Sequence, residues 1–390
     1  MLDLSIVIPC LNEDETLSIC ISKCKSVIQD NKLSAEIIIA DNGSNDNSIS
    51  IANKHGVKVV NVDDKGYGFA LMGGIDAAQG KYILMADADD SYDFLEIPKF
   101  LNKIREGYDL VQGCRLPSGG GNIKNGAMPK LHQYFGNPFL TFLSRIFFSV
   151  PVNDIYCGMR CFKKEMYLDI QQKCGGMEFA TENIIKSSLH GYKITEVPIT
   201  LYKDGRVKKI PHLRTFKDGW RTLRFFLLYC PKYLYVYPGF CLLFIGFLGF
   251  LCGLFNLNFL GVTLDAHTLV FSSLSVIIGF QSLLFGLLTY QFSANEGLYF
   301  INDVFKKLNK FFTLEKSILI ALLFIVIGIF SLGYSINKWR LLSFGEFSYS
   351  ENMKIIVPGV TVTAIGFQLI MYSFYTNILN IPRKAVSKRY

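Results

Sequence analysis

The chain has 390 residues, half of them hydrophobic and 14% aromatic, with a formal net charge of +8. That is rich for a soluble protein and lean for one lying wholly in a membrane, and the length suggests two or three domains. Net charge alone does not separate a membrane surface from nucleic acid, but position does: the basic residues concentrate beside apolar runs that begin after about Cys230, so a membrane and no nucleic acid is expected.

Along the first half, short β-type runs alternate with helical spacing. Leu4 to Pro9 reads as a buried strand, Glu13 to Ile28 as a helix, and Glu36 to Ala40 as a second strand. Asp46 to Lys54 reads as a helix, Val57 to Val62 as a strand, Tyr67 to Ala78 as a helix, and Lys81 to Ala86 as a strand that ends in acids. Such alternation predicts a parallel α/β sheet, whose ligands sit at the carboxyl ends of the strands. The polar clusters Asn12-Glu13, Asp41 to Asp46 and Asp87 to Asp90 fall at those ends. No basic n-region or cleavage site precedes the first strand, so this domain is expected in the cytosol. The ten cysteines lie mostly singly in apolar segments, and neither Cys20/Cys24 nor Cys157/Cys161 has the companions of a zinc site. Free thiols suit a reducing compartment.

Between Pro129 and Phe148 the residues Leu131, Phe135, Phe139, Phe142 and Ile146 form one helical stripe. It reads either as a core-facing helix or as one that dips into a membrane interface. From Arg206 to Arg224 run seven basic residues, with Phe216, Trp220, Leu223 and Leu227 as an apolar stripe. This pattern predicts a cationic amphipathic segment on a bilayer, 206–231. Four apolar segments follow, near 233–255, 268–290, 318–336 and 355–379, each long enough for a ~30 Å hydrocarbon core. They contain no Asp, Glu, Lys or Arg, and Gln281 and Gln368 are expected to bond between helices.

The loop after the first segment lacks Lys and Arg, the second holds Lys306, Lys307, Lys310 and Lys316, and the tail 382–390 holds Arg383, Lys384, Lys388 and Arg389. The positive-inside rule then places both termini in the cytosol. Lys338, Arg340 and Lys354 of the third loop run against it. The expected organisation is a catalytic domain over 1–205, the basic segment, four membrane helices within 232–381, and the tail.

Asp87-Ala88-Asp89 puts two carboxylates two residues apart at a strand-to-loop break, where both can reach one hard cation, Mg2+ or Mn2+, that also binds substrate phosphates. Alone the pattern is weak, but it has company. Ser5-Ile6-Val7-Ile8-Pro9-Cys10-Leu11-Asn12-Glu13 resembles the opening strand of family 2 glycosyltransferases. Asp41-Asn42-Gly43-Ser44-Asn45-Asp46, Gly66-Tyr67-Gly68-Phe69-Ala70 and Asp87-Ala88-Asp89 are similar to that family's next three motifs. Gly113-Cys114-Arg115 resembles a Gly-x-Arg of its polyprenyl-phosphate sugar synthases, the dolichol-phosphate-mannose-synthase-like branch. The matches span about 1–225, in order.

The resemblance implies a GT-A fold, Rossmann-like, ahead of an α-helical transmembrane domain. It implies nucleotide contacts from Pro9, Asn12, Glu13, Asp41, Gly66, Gly68 and Asp87, and a metal at Asp87 and Asp89. Asp89, Arg115 and Arg206 would be catalytic, the arginines by binding phosphate. Glu178, Glu182 and Arg214 are candidates for sugar or acceptor contacts. Three departures stand out: Asp64 where many relatives have Asn, Ser91 where some have a longer metal ligand, and Gly176 to Glu182 where relatives have a more aromatic segment. The implied reaction is inverting hexose transfer from a nucleotide-sugar to a polyprenyl phosphate on the cytosolic leaflet, in a bacterial inner membrane. A homo-oligomer is compatible with this. A processive polysaccharide synthase is the first alternative, but Gly219-Trp220-Arg221 stands where its Gln-x-x-Arg-Trp would be. An inactive membrane scaffold is the second, and the intact Asp41, Asp87 and Asp89 oppose it.

Overall fold

A computed structural model describes residues 2–206, 215–259, 261–295, 313–346 and 348–381. The chain divides into two units, Met1–Phe226 and Leu227–Tyr390.

The first unit is built on a seven-stranded sheet. Its strands are β1 (Leu4–Cys10), β2 (Ala35–Asp41), β3 (Lys58–Asn61), β4 (Tyr82–Met85), β5 (Leu110–Cys114), β7 (Arg160–Lys163) and β8 (Ile194–Pro198). A side ribbon pairs β6 (Asn122–Ile123) with β9 (Thr200–Leu201). The spatial order is β3-β2-β1-β4-β7-β5-β8. The sheet is parallel except for β7, which runs antiparallel to β4 and β5. The four strands expected to be parallel are so, and the whole sheet is mixed through β7. The strand beyond Asp154 carries no sequence mark of its direction, because buried strands of either sense read as short apolar runs.

Alternation along β1 explains the layers. Leu4, Ile6 and Ile8 join a core with Leu17, Cys20, Ile21 and Cys24 of α1 (Leu17–Asp30), and with Phe100, Leu101 and Ile104 of α4 (Ile97–Arg105). On the other face Val7 and Ala40 meet α3 (Tyr67–Asp76), which comes close because Gly74 has no side chain. The helix α2 (Ser48–Lys54) packs beside α1, while α6 (Lys164–Ile170) and α7 (Glu178–Leu189) lie on the α3 side. The chain leaves β1 toward β2 and β3, then returns to β4 on β1's other side. That reversal opens a crevice at the carboxyl ends of β1 and β4, the ligand position of open α/β sheets.

The apolar stripe of 129–148 is not core-facing. A π-helical turn, His132–Gly136, leads into α5 (Asn137–Phe148). Its buried face is Leu140, Thr141, Ser144 and Phe148, whereas Leu131, Phe135, Phe139, Phe142 and Ile146 are each at least 41% exposed. Phe148 also holds α8 (Thr215–Tyr229), through Phe226 at 5.5 Å between ring centres. Among the described side chains of α8, Thr222, Phe225 and Phe226 are buried, while Trp220 is 59% exposed.

Among the described residues the second unit holds four apolar helices, each long enough to span a bilayer. They are α9 (Tyr237–Leu254, with a π-helical turn before it), α10 (Ala266–Asn295), α11 (Leu314–Leu341) and α12 (Tyr349–Asn380). The spans run further at most ends than apolarity suggests, because helices continue into the polar boundary. The helix α10 packs against α9 and α12, and α12 against α11. Small residues allow the approach: Gly239, Gly246 and Gly253 of α9 are buried, and Gly328 of α11 faces Gly359 of α12. Ser273 and Thr361 share a hydrogen bond between α10 and α12 at 2.6 Å. Gln368 donates to the Ile277 carbonyl at 3.4 Å as expected of an interhelical amide, whereas Gln281 lies on an exposed face.

Candidate active site

Three loops meet at the crevice, and each is fixed by its own polar residues. After β1, Asn12 adopts a left-handed backbone (φ 60°), accepts from Asn45 N at 2.8 Å on Oδ1, and donates its N–H to Ser44 Oγ at 3.0 Å. Glu13 N donates to Ser48 Oγ at 2.9 Å. These bonds lock the β1 and β2 ends together. Asp41 is 3% exposed, and its carboxylate accepts from the backbone of Gly43 (2.9 Å) and Ser44 (3.1 Å). Its visible work is to hold the 43–44 turn; a nucleoside contact would have to share it. Pro9 lies in β1 opposite Ala40.

The glycine loop comes next. Gly66 has φ 151°, a conformation closed to most side chains, and donates to Asn42 Oδ1 at 2.8 Å. Asn42 also donates to the carbonyls of Val62 (3.1 Å) and Asp64 (2.8 Å). Gly68 lies against the backbone of 174–176, where a Cβ would run into the Cys174 carbonyl oxygen. Phe69 N donates to Gly175 O at 3.1 Å. Asn42 thus organises the loop, a role the sequence marked only by its place in a motif.

The acids after β4 sit where expected. Asp87 lies deep in the crevice with part of its side chain open, and Tyr67 Oη donates to its Oδ1 at 2.9 Å. Burial, then the charge of Asp89, push its pKa up to about 6. Asp89 Oδ1 accepts from Ser91 N at 3.0 Å, and its carbonyl accepts from Gly205 N at 3.0 Å. Asp90 takes φ 58° and pairs with Lys23 at 2.8 Å.

Arg206 closes the group. It donates to Glu13 Oε1 at 3.1 Å and forks onto Asp204, at 3.0 Å from Nε and 2.7 Å from Nη2. Its Nη2 is 3.8 Å from Asp89 Oδ2. Glu13 is pushed up to about 7, first by burial, with Arg206 pulling the other way and Asp89, Asp204 and Asp87 adding to the rise. The crevice therefore gathers Glu13, Asp87, Asp89 and Asp204 around one guanidinium. Asp204 went unnoticed in the sequence, although it stands only two residues before Arg206.

Arg115 is placed differently from expectation. Its fork is already clamped on Asp154: Nε to Oδ2 at 2.7 Å and Nη2 to Oδ1 at 2.9 Å, with Nη1 3.4 Å from Tyr92 Oη. Asp154 is fully buried and also accepts from Arg115 N at 3.1 Å. A guanidinium so matched is not free to fork onto a phosphate. Sequence reasoning missed Asp154, which lies 39 residues away with no local motif to mark it.

Glu182 is 1% exposed and does not reach toward a substrate. It accepts from the backbone of Lys173 (3.0 Å) and Cys174 (2.8 Å) and pairs with Lys186 at 3.0 Å, anchoring the loop that backs Gly68. Glu178, in the first turn of α7, keeps partial exposure. Arg214 lies outside the described residues, as do Lys208 and Lys209, residues 296–312, which hold three second-loop lysines, and the tail 382–390.

The donor set suits a hard cation: two carboxylates after β4, one with an oxygen so close over Gly158 that a Cβ there would lie 2.8 Å from Asp87 Oδ2. Among the described residues no three His, Cys, Asp or Glu side chains converge as a complete cage. An ion here would therefore take further ligands from a substrate, as Mg2+ commonly does from phosphates.

A Rossmann-like sheet with one reversed strand, and an acid pair at its switch point, is a GT-A nucleotide-sugar fold followed by membrane helices. The chain belongs to glycosyltransferase family 2: residues 5–170 match Glycosyl transferase family 2, and residues 287–380 match its C-terminal transmembrane region. It is 38% identical over 285 residues to the low-salt glycan biosynthesis hexosyltransferase Agl6 of Haloferax volcanii, covering 73% of this chain and 67% of that one. It is 31% identical over 199 residues to the dolichyl-phosphate hexose transferase of the same organism, covering 50% and 82%. Among solved structures, glucosyl-3-phosphoglycerate synthase from Mycobacterium tuberculosis aligns at a TM-score of 0.46 and 19% identity, over 58% of this chain and 76% of that one. The chain is a hexosyltransferase and a membrane protein.

Proposed function

We propose that the chain transfers a hexose, with inversion, from a nucleotide-sugar to a polyprenyl phosphate on the cytosolic leaflet. The observation that carries this reading is the crevice itself. Four carboxylates and Arg206 converge at the switch point, and of the two acids of α7 that could serve as a base Glu182 is consumed in anchoring a loop, while Glu178 stands partly exposed at the first turn of the helix. A sugar hydroxyl needs a positioned base, whereas a phosphate monoester is already anionic and attacks without one. The similarity to a dolichyl-phosphate hexose transferase supports an acceptor of this kind.

Asp87 and Asp89 would hold a divalent cation, Mg2+ or Mn2+, which when bound neutralises the departing diphosphate. The chain's residues do the rest. Asn12, Glu13 and the Asn42-braced glycine loop shape the nucleotide pocket. Arg206, drawn from its carboxylate partners, is the described cation best placed for the acceptor phosphate, with Arg214 beyond it in sequence. Arg115 acts by bracing the crevice floor through Asp154 and Tyr92. The exposed face of Leu131, Phe135, Phe139, Phe142 and Ile146 enters the bilayer interface, bringing the catalytic unit to the depth of a lipid headgroup. With both termini cytosolic, the basic segment 206–231 rests on the same surface.

The test presents membranes containing the protein with labelled UDP-glucose, UDP-galactose and GDP-mannose together with a polyprenyl phosphate. One donor is expected to yield a labelled, acid-labile lipid. Label in long polysaccharide instead of lipid would favour a processive synthase and overturn the proposal.

A further inference from the structure

Tyr67 opens α3 directly after Gly66, on the glycine loop. Its hydroxyl donates to Asp87 Oδ1 at 2.9 Å, and among the described residues no other hydrogen bond reaches that carboxylate. The other oxygen, Oδ2, accepts no hydrogen bond among the described residues and lies close over Gly158, where a side chain would press on it. One oxygen of Asp87 is thus held and one is free.

The loop that carries Tyr67 is itself fixed. Asn42 grips Gly66 N at 2.8 Å, Phe69 N bonds Gly175 O at 3.1 Å, and Gly68 seats on the 174–176 backbone. Glu182 anchors that backbone from α7. A continuous run of contacts therefore leads from α7, through the glycine loop, to a single carboxylate oxygen.

We propose that Tyr67 is a positioning residue for Asp87: its hydroxyl fixes the carboxylate so that Oδ2 alone is offered to a divalent cation, and it ties that geometry to the seating of the glycine loop. The inference rests on the reading of Asp87 as a metal ligand. Without the hydroxyl, Asp87 is free to rotate and is repelled by Asp89, so the oxygen no longer waits in place. Partners of this kind typically change metal affinity by about 10–100-fold when removed.

The experiment titrates Mn2+ into the purified full-length protein in detergent, with UDP and separately with GDP, following free Mn2+ by electron paramagnetic resonance. Tyr67→Phe, Asp87→Asn and the double variant are compared with wild type, and thermal unfolding confirms that each is folded. Tyr67→Phe is expected to weaken Mn2+ binding roughly 10–100-fold. In turnover it raises the Mn2+ concentration needed for half-maximal rate. In the Asp87→Asn background the same change is expected to have no further effect. Wild-type affinity in Tyr67→Phe, with binding lost in Asp87→Asn, overturns the role of Tyr67 and leaves Asp87 as a ligand. Wild-type affinity in Asp87→Asn overturns the metal reading and this inference with it.

Discussion

Replacing Asp154 by alanine tests the placement of Arg115. The carboxylate receives Arg115 Nε at 2.7 Å, Nη2 at 2.9 Å and N at 3.1 Å, and Tyr156 N at 3.2 Å. Asp154 is fully buried and the Arg115 side chain is 10% exposed, so water cannot replace these bonds without opening the fold. Removing one partner of such a pair costs about 3–5 kcal/mol, against less than ~1 for an exposed pair. For a unit of 226 residues that corresponds to a fall in Tm of about 6–20 °C. Thermal unfolding of the full-length protein in detergent, in a Trp339→Phe background so that Trp220 reports on the catalytic unit, measures it. The double variant Arg115→Met, Asp154→Leu is expected to regain most of the stability, because an apolar pair of similar volume replaces a buried ion pair at little cost. If Asp154→Ala lowers stability by less than about 1 kcal/mol, the pair is not the buried clamp described. If the double variant is stable but loses all transfer, Arg115 binds substrate directly and its bracing role is wrong.

Asp89→Ala is expected to abolish transfer while leaving the protein folded and membrane-bound, and EDTA to do so reversibly; full activity of the variant in metal-free buffer would refute a metal at this pair. Glu182→Ala is expected to destabilise the protein by about 3–5 kcal/mol by stranding Lys186, whereas Glu178→Ala leaves Tm within ~2 °C and changes only turnover; the reverse pattern in unfolding and rate assays would exchange their roles. Cysteine labelling of intact cells is expected to find residues 382–390 protected from outside, and efficient external labelling would mean an odd number of spans.

Much of the fold was legible because its signals are local. The strands β1, β2 and β4 are short apolar runs ended by acids, and the four long helices follow from length and apolarity. The reversed strand β7 was not legible, since strand direction is decided by connections and not by composition. The stripe at Leu131 to Ile146 gave the helix but not its surroundings: periodicity reports that one face is apolar, and only packing shows that the face left outside is the apolar one. The same limit governs the site. Asp87, Asp89 and Asn12 lie in contiguous motifs and fall where expected. The partners that decide what Arg115, Arg206 and Glu182 can do (Asp154, Asp204 and the 173–174 backbone) meet them only through folding, so both arginines read as free cations and Glu182 as a substrate contact.

The proposed nucleophile is a lipid phosphate and not a hydroxyl. The measurement is the rate of hexose transfer to a polyprenyl phosphate and to the matching polyprenol, at equal concentration in the same vesicles, with the donor that supports activity. Transfer to the phosphate is expected, with none above background to the alcohol, and Arg206→Ala is expected to weaken use of the phosphate more than binding of the nucleotide. Equal glycosylation of the alcohol would contradict it and would call for a carboxylate base, for which Glu178 is the exposed candidate.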